Sequence, residues 1–323
     1  MNAGIGAAGP PLLARLSFRI ESLGVLLLLS AAMAWMSPYF LSVSNILNIL
    51  LATATIGVLA IGATYVISAA GLDLSLGSVL GVSAVVGAWL IDRAELPWIF
   101  GIIGCLGAGA LAGFINGLLI TRGRIPAFIV TLGMLGIARG VALVIANGQT
   151  IYGLAPEIVF LGQGRPWGVP MPVFIFIGVA LVMHYILAYT RFGRYTLVIG
   201  DNEMAARAMG VQVETHKLKL YTVSGLMAGV GGLLFMSRVN AGDPTAGVGY
   251  ELTAITAAII GGTNLFGGRG SILGTFIGAL IMGVLQNGLN LLAVQSYYQQ
   301  ISIGAVLIFA VWLDQTGRRR RDA

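Results

Sequence analysis

Charged residues are scarce in this sequence, at 9% of 323 residues, whereas ordinary soluble domains carry about 25%. The single cysteine, Cys105, excludes an intramolecular disulfide. The two histidines lack the spacing of metal ligands; we expect His184 to be packed or interfacial and His216 to lie in a loop, so no metal site is predicted. No Gly-x-x-x-x-Gly-Lys-[Ser/Thr] motif occurs, so the chain has no P-loop to cradle nucleotide phosphates. These absences argue against a soluble domain, a metalloenzyme and a P-loop ATPase.

Hydrophobic residues, by contrast, make up 57% of the chain, and 47 residues are glycine. Apolar runs of about 20 residues recur, and each is long enough to cross a bilayer as a helix. Small residues let neighbouring backbones approach closely in lipid. The sequence therefore predicts an all-α polytopic membrane protein. Its ten predicted spans are 23–36, 46–70, 76–91, 98–120, 127–146, 172–189, 220–238, 251–263, 271–292 and 297–313.

The basic residues fall mostly on one side of these spans. With the N-terminus inside, fourteen Lys and Arg residues lie in cytoplasmic segments, three lie on the opposite side, and Arg139 lies within a span. This distribution follows the positive-inside rule and predicts that both termini are cytoplasmic. It also explains the net charge of +6, so no nucleic-acid partner is expected.

Nothing in the sequence marks a linker between soluble domains. We predict one membrane domain at 23–313, with a cytoplasmic tail at 1–22 and a basic cytoplasmic tail at 314–323, where the arginines 318–321 act as a topology anchor. The start of the chain also has the form of a signal peptide, but we favour an uncleaved first span. The longest outer segment, 147–171, is either a plain connector or a surface for an extracytoplasmic partner, and its Pro and Gly residues argue against one regular helix.

Two Gly-rich stretches interrupt the apolar pattern in similar ways. G-L-D-L at 71–74 precedes one span, and G-T-N-L at 262–265 precedes another. Paired interruptions in two halves of a transporter indicate a duplicated unit with discontinuous helices near the pathway, so we predict an internal repeat whose sense stays open. The segment 251–263 is short for a crossing and is either a span or a half-helix buried in protein.

The one strongly polar segment is 191–219, which holds eight of the thirty formal charges. Asp201, Asn202 and Glu203 supply N-cap chemistry and acid for a short helix, and Gly210 can end it in the left-handed conformation. A helix this short is marginal alone and needs a surface to lie against. It is either part of a solvated loop or a docking helix with Met204, Ala205, Ala208 and Met209 on one face. The candidate partner contacts are Asp201, Asn202, Glu203, Met204, Ala205, Ala206, Arg207, Ala208, Met209 and Gly210.

Asp73 is the one carboxylate deep within the first five predicted spans. An ionised side chain in lipid is costly and usually faces protein or water. Asp73 therefore either lines the pathway or caps the helix that starts near Ser75, and Arg139 is a candidate internal partner for it. Polar residues on apolar helices bond between helices by default, with pathway lining as the alternative. The candidates for the pathway or a gate are Asp73, Ser75, Asn116, Arg139, Asn264 and Asn287.

Five ordered stretches carry a family resemblance. They are A-G-L-D-L-S-L-G-S-V at 70–79, V-T-L-G-M-L-G-I-A-R-G at 130–140, the run from T-R-F-G-R-Y to A-M-G-V at 190–211, G-Y-E-L-T-A-I-T-A-A-I-I-G-G-T-N-L-F-G-G-R-G-S at 249–271 and Q-N-G-L-N-L-L at 286–292. They resemble the monosaccharide ABC-importer permeases of the ribose/xylose type, over most of the chain from about 46 to 314. Two departures are mild: Ala70 stands where that family often has a second glycine, and Thr253 where it often has aspartate.

The resemblance implies the permease of an ATP-driven monosaccharide importer, with a type II ABC importer-like fold and an internal repeat. In that family the polar segment, here 191–219, sits in a groove of the ATP-binding subunit and receives its motion. The resemblance further implies two permease copies around the pathway, a periplasmic sugar-binding protein, and a place in the bacterial inner membrane. ATP and Mg would be held by the partner subunit, so neither a cofactor nor a catalytic residue is expected in this chain.

Two other functions stay open. A branched-chain amino-acid importer subunit shares the Gly-rich architecture, although 73–75 and the 286–292 run favour a sugar. An ion-coupled secondary transporter or channel would need a titratable group within the membrane, and Asp73 is the serious candidate. The cargo itself, a pentose such as ribose or xylose or a related molecule such as a nucleoside, is not specified by the sequence.

Overall fold

A computed structural model describes residues 12–322, with side chains described for 22–312. Residues 1–11 of the predicted N-terminal tail, Ala323, and the side chains of the predicted anchor at 318–321 lie outside the described residues. The elements in chain order are α1 (Leu12–Met36), α2 (Val43–Ser68), α3 (Leu76–Asp92), α4 (Trp98–Thr121), α5 (Ala127–Ile145), β1 (Ile151–Tyr152), α6 (Pro156–Gln163), a 3-10 turn (Pro166–Gly168), α7 (Met171–Tyr189), α8 (Arg191–Asp201), α9 (Glu203–Ala208), α10 (Val213–Val239), β2 (Ala241–Gly242), α11 (Tyr250–Ile260), α12 (Ile272–Leu291) and α13 (Ser296–Asp322).

Each of the ten predicted spans coincides with a helix of the described chain. Six of these helices are long and apolar enough to cross a membrane, and three further apolar segments are shorter. The six are α2, α4, α5, α7, α10 and α12; the shorter ones are residues 22–36 of α1, α3 and α11. Helices keep every backbone hydrogen bond within one segment, which lipid requires. The prediction of an all-α polytopic membrane protein is confirmed.

The short predicted segment 251–263 forms a half-helix. Helix α11 has 11 residues, so it is about 16 Å long, roughly half of a hydrocarbon core of about 30 Å. Irregular backbone comes before it, where Gly247 and Gly249 have positive φ angles that glycine adopts without steric cost. Ala246 is buried in this stretch, as expected where irregular backbone at membrane depth is covered by protein.

Helices α4 and α10 pack through glycine. A Cβ added at Gly113 would lie 2.9 Å from the Gly225 Cα, and one at Gly109 would lie 2.6 Å from the backbone nitrogen of Gly229. The two backbones are therefore in direct contact, as small residues at spacings of four allow in membranes. This contact fixes α10 in the centre of the bundle, against α2, α3 and α4.

The helix bundle carries non-spanning structure at both ends. At one end, β1 pairs antiparallel with β2, with Ile151 opposite Gly242; we call this the β end. The predicted outer loop 147–171 supplies β1, α6 and the 3-10 turn, so it is not one regular helix, as its Pro and Gly residues predicted. At the other end lie α8 and α9; we call this the α9 end.

Both predicted Gly-rich interruptions are helix breaks. Residues 69–75 separate α2 from α3, and residues 261–271 separate α11 from α12. The two breaks touch, because the Gly268 N–H donates to the Ser68 carbonyl at 3.0 Å. They therefore form one site at the α9 end.

Candidate functional site

Helix α9 begins and ends where the sequence predicts. The Asn202 side chain accepts the Ala205 N–H at 3.0 Å from an extended backbone conformation, which is N-cap geometry. Gly210 has a φ of +81°, and the Val211 N–H donates to the Ala206 carbonyl at 3.1 Å, so the helix ends at a left-handed glycine. Asp201 does not belong to this helix; it ends α8.

The apolar face of α9 points away from its own chain. Ala206 is fully buried and seats the helix on the bundle. On the other side, Met204 is 79% exposed and Met209 is 66% exposed, and Ala205 and Ala208 are exposed between them. Exposed methionine is typical of adaptable binding surfaces. A single buried alanine leaves almost the whole predicted face free for a partner.

Ion pairs hold α9 against the first turns of α10. Glu203 accepts from Arg207 at 2.7 Å and from Lys217, and Arg207 also bonds to Glu214. The Lys217 ammonium, together with the Arg207 guanidinium, holds the pKa of Glu203 below its usual range, so its carboxylate is ionised at neutral pH. Because these pairs are exposed to water and salt, each contributes little to the stability of the fold.

Helix α8 positions α9, and the sequence analysis did not identify it. Gly193, Thr196 and Ile199 are buried along one face of α8. Their spacing of three residues is typical of a helix and could have identified α8 from the sequence. The Thr196 hydroxyl lies 2.9 Å from the His216 Nε2. The prediction that His216 lies in a loop is wrong: it is a buried residue of α10 that fixes α8 in place.

Open space lies between part of α9 and the bundle. A cavity of about 470 Å³ lies beside it. Glu203, Arg207 and Lys217 line one part of this cavity, and Ala70 and Tyr221 line another. Apart from Ala206, α9 is thus held to the bundle mainly by surface ion pairs and by its connection to α8.

A second polar site lies within the bundle and contains Asp73, Ser75 and Asn116. Asp73 accepts the Ser75 N–H at 3.0 Å and the Ser75 hydroxyl at 2.6 Å. It is not the predicted N-cap of α3, because the N-cap position is Ser75 and no side chain caps this helix. Ser224 of α10 donates to the other carboxylate oxygen at 2.8 Å, and the Asn116 amide donates to Ser75 at 3.0 Å. Nothing in the sequence pointed to Ser224, because the contact joins positions 151 residues apart.

The other three candidates lie apart from this site. Arg139 donates to the Pro244 carbonyl, and the acidic groups that act on its charge are Glu251 and Asp243. The suggestion that it pairs with Asp73 is therefore wrong, since the donors to Asp73 are Ser75 and Ser224. The remaining two candidates have partners of their own: the Asn264 side chain accepts the Phe266 N–H at 3.0 Å, and Asn287 exchanges two hydrogen bonds with Asn45, at 2.9 and 3.0 Å.

Comparison with known proteins gives a consistent result. Residues 45–311 match the family described as branched-chain amino acid transport system / permease component. The ribose import permease protein of Escherichia coli (strain K12) is 43% identical over 298 residues, which are 91% of this chain and 92% of that protein. The ribose import permease protein of Bacillus subtilis (strain 168) is 42% identical over 282 residues, 87% of each chain. The L-arabinose ABC transporter permease protein of Azospirillum brasilense is 36% identical over 299 residues, 93% of this chain and 88% of that one.

Proposed function

Because this chain belongs to the family of transport-system permease components that its residues 45–311 match, and is a multi-pass protein of the inner membrane, we propose a specific role within that family. It is the permease subunit of an ATP-driven monosaccharide importer, and its cargo is a pentose such as ribose. The similar proteins named above are permeases for ribose or arabinose, which favours a sugar over the branched-chain amino acid of the family description.

The exposed face of α9 is the observation that carries this proposal. An apolar face left uncovered on a capped, ion-paired helix has a binding role rather than a packing role. A helix of six residues is also small enough to fit into a groove on the surface of another protein. We assign α9 as the coupling helix and the ATP-binding subunit as its partner.

This assignment also determines the orientation of the chain in the membrane and the place of its other partners. The α9 end is cytoplasmic, with both termini on that side, in keeping with the distribution of arginine and lysine. ATP and Mg belong to the partner subunit, since no P-loop occurs in this sequence. A periplasmic sugar-binding protein meets the β end, and a second copy of this permease completes the pathway.

The test is copurification followed by transport. The tagged chain, extracted gently from its native membrane, is expected to bring an ATP-binding subunit with it in stoichiometric amount, identified by mass spectrometry. The double variant Ala205→Glu/Ala208→Glu places two charges on the docking face and should lose that subunit. The matched control Ala205→Ser/Ala208→Ser keeps the residue size and should retain it. Recovery of the chain alone from transport-competent membranes would refute the proposal.

Cargo is tested in vesicles that contain the copurified complex and its binding protein. We expect ATP-dependent uptake of labelled ribose and none of labelled leucine. Leucine uptake would instead support an amino-acid permease. Uptake driven by an ion gradient without ATP, and abolished by Asp73→Asn, would support an ion-coupled transporter.

A further inference from the structure

Three separate segments meet backbone to backbone beside α9. They are the end of α8 at Gly200, the end of α2 with the start of the first break at Ser68 and Ala70, and the second break at Gly267 and Gly268. The Gly268 N–H donates to the Ser68 carbonyl at 3.0 Å, which joins the two breaks. Gly200 lies against both of them. We call these five residues the three-segment junction.

The junction has no space for a side chain at Gly200. A Cβ added there would collide with the Ser68 carbonyl oxygen and lie 2.5 Å from the Gly268 nitrogen. On the other side, a Cβ added at Gly267 would lie 2.6 Å from the Gly200 carbonyl oxygen and 2.8 Å from the Ala70 Cβ. Close-packed backbone transmits displacement because it has no rotamers to absorb it.

The two breaks also have defined backbone conformations at this point. Ala70, Gly267 and Gly268 have φ angles of +58°, +88° and +77°. Left-handed residues do not form helices and are found at bends where the chain changes direction. Each break thus bends at the junction, where a displacement would change the angle between the helices on either side.

The junction also lies on one of the two covalent connections between α9 and the bundle; the other, 209–212, leads into α10. Gly200 comes two residues before the N-cap of α9, and Asp201 between them lies against Gly268. The contacts of α9 with α10 include exposed ion pairs, whereas Gly200 lies against the backbone of both breaks. A displacement of α9 by a partner therefore reaches the two breaks at Gly200.

Beyond the junction, each break leads into a helix that is fixed at its start. The first break continues to Asp73, which bonds to α3 through Ser75 and to α10 through Ser224. The second continues to Ser271, which caps α12 by accepting the Gly274 N–H at 3.1 Å. Movement at the junction thus reaches α3, α10 and α12 together.

We propose that Gly200 is a positioning residue for energy coupling: it transmits the movement of α9 to both helix breaks at once. This inference rests on the proposed function, because it requires that a partner moves α9. Gly200 itself contacts neither ATP nor cargo. Its replacement should therefore separate ATP hydrolysis from transport without separating the subunits.

The experiment compares variants of the complete complex in vesicles. Gly200→Ala should still copurify with the ATP-binding subunit and hydrolyse ATP, while sugar uptake per ATP falls about tenfold. Ala70→Gly removes the Cβ that lies next to Gly267. It also places glycine, which adopts positive φ angles without strain, at a left-handed position, so this variant should fold readily. It should lower sugar uptake per ATP by about threefold. If Gly200→Ala yields no protein, Ala70→Gly decides the question.

Two glycine variants serve as controls. Gly87→Ala also introduces a tight contact, but against Cys105 and the Gly101 carbonyl oxygen and away from the breaks, so it should leave uptake per ATP unchanged in the complexes that assemble. Gly178→Ala has open space around its Cβ and should behave as wild type. The inference is overturned if both junction variants keep the wild-type uptake per ATP, or if Gly87→Ala lowers it as much. Loss of the partner or of ATP-dependent uptake in the wild type would instead refute the proposed function.

Discussion

Asp73 and Glu203 are acidic residues in a chain with few charges, yet the protein holds them in opposite ways. Asp73 is 2% exposed and is bonded by two serine hydroxyls and a backbone N–H. Glu203 is partly exposed and is bonded by two cations, Arg207 and Lys217. The inner carboxylate is thus stabilised by fixed neutral dipoles, and the outer one by flexible charged side chains.

The difference indicates which site holds the fold together and which is able to move. Buried donors that lose their acceptor keep the full cost of desolvation, so the Asp73 site resists rearrangement. Exposed ion pairs exchange readily with water and salt, so the Glu203 network can open when a partner displaces α9. The structure is therefore rigid around Asp73, inside the bundle, and able to rearrange around Glu203, on α9.

The largest effect is expected from Asp73→Ala. This change leaves three donors without an acceptor inside the bundle, which should lower the free energy of unfolding by about 3 kcal/mol or more. Thermal unfolding of the detergent-purified protein, followed by a scanning assay, measures it. Ser224→Ala removes one donor and should cost about 1 kcal/mol. A smaller loss for Asp73→Ala than for Glu203→Ala would contradict the comparison.

An intermediate effect is expected at the neutral pair Asn45 and Asn287, which joins α2 to α12. Hydrogen bonds between membrane helices contribute about 0.6 kcal/mol on average. A double-mutant cycle with Asn45→Ala and Asn287→Ala should therefore give a coupling energy of about 0.5–1.5 kcal/mol. Additive effects would mean that this pair does not stabilise the bundle.

The features that the sequence predicted are local ones. Apolar run length located a helix at each of the ten predicted positions, and the Asn202 cap with Gly210 located α9, because each depends on neighbouring residues alone. The partners of buried polar groups were not predicted. Ser224 and Asn45 are ordinary polar residues on apolar helices, and only the three-dimensional packing shows which group each of them bonds to.

Three other features were missed for different reasons. Helix α8 is short and follows α7 directly, so it was treated together with α9 as one polar segment, 191–219. Its buried face at Thr196 and Ile199 was therefore not recognised. The partners of Arg139 lie in the irregular stretch before α11, and chain order gives no guide to its position. The contact of Gly200 with both breaks is likewise invisible in the sequence, because glycine spacing shows that a close approach is allowed but not which backbone approaches.

A smaller effect is expected from Glu203→Gln, which removes the carboxylate that binds Arg207 and Lys217. Global stability should change by less than about 1 kcal/mol, because these pairs are partly exposed. The mobility of α9 should nevertheless increase, and a spin label on an Ala208→Cys variant reports it. Cys105 is fully buried and should stay unlabelled. An unfolding midpoint that falls as far as that of Asp73→Ala would show that the outer network supports the whole bundle.

The smallest effect is expected from mild acidification. The pKa of Glu203 is held below its ordinary value of 4.5, so the stabilisation from its ion pairs is complete above that pH. It is lost as the pH falls from there through the lowered pKa, when the carboxylate takes up a proton. The spin label on α9 should therefore show constant mobility from neutral pH down to about 5, and greater mobility only as the pH falls below 4.5 and reaches the lowered pKa of Glu203. In Glu203→Gln the acid-induced change should be smaller, because one of the two carboxylates that bind Arg207 has been removed and Glu214 remains. An equal acid response in both proteins would assign the change to another carboxylate and would separate the mobility of α9 from the Glu203 network.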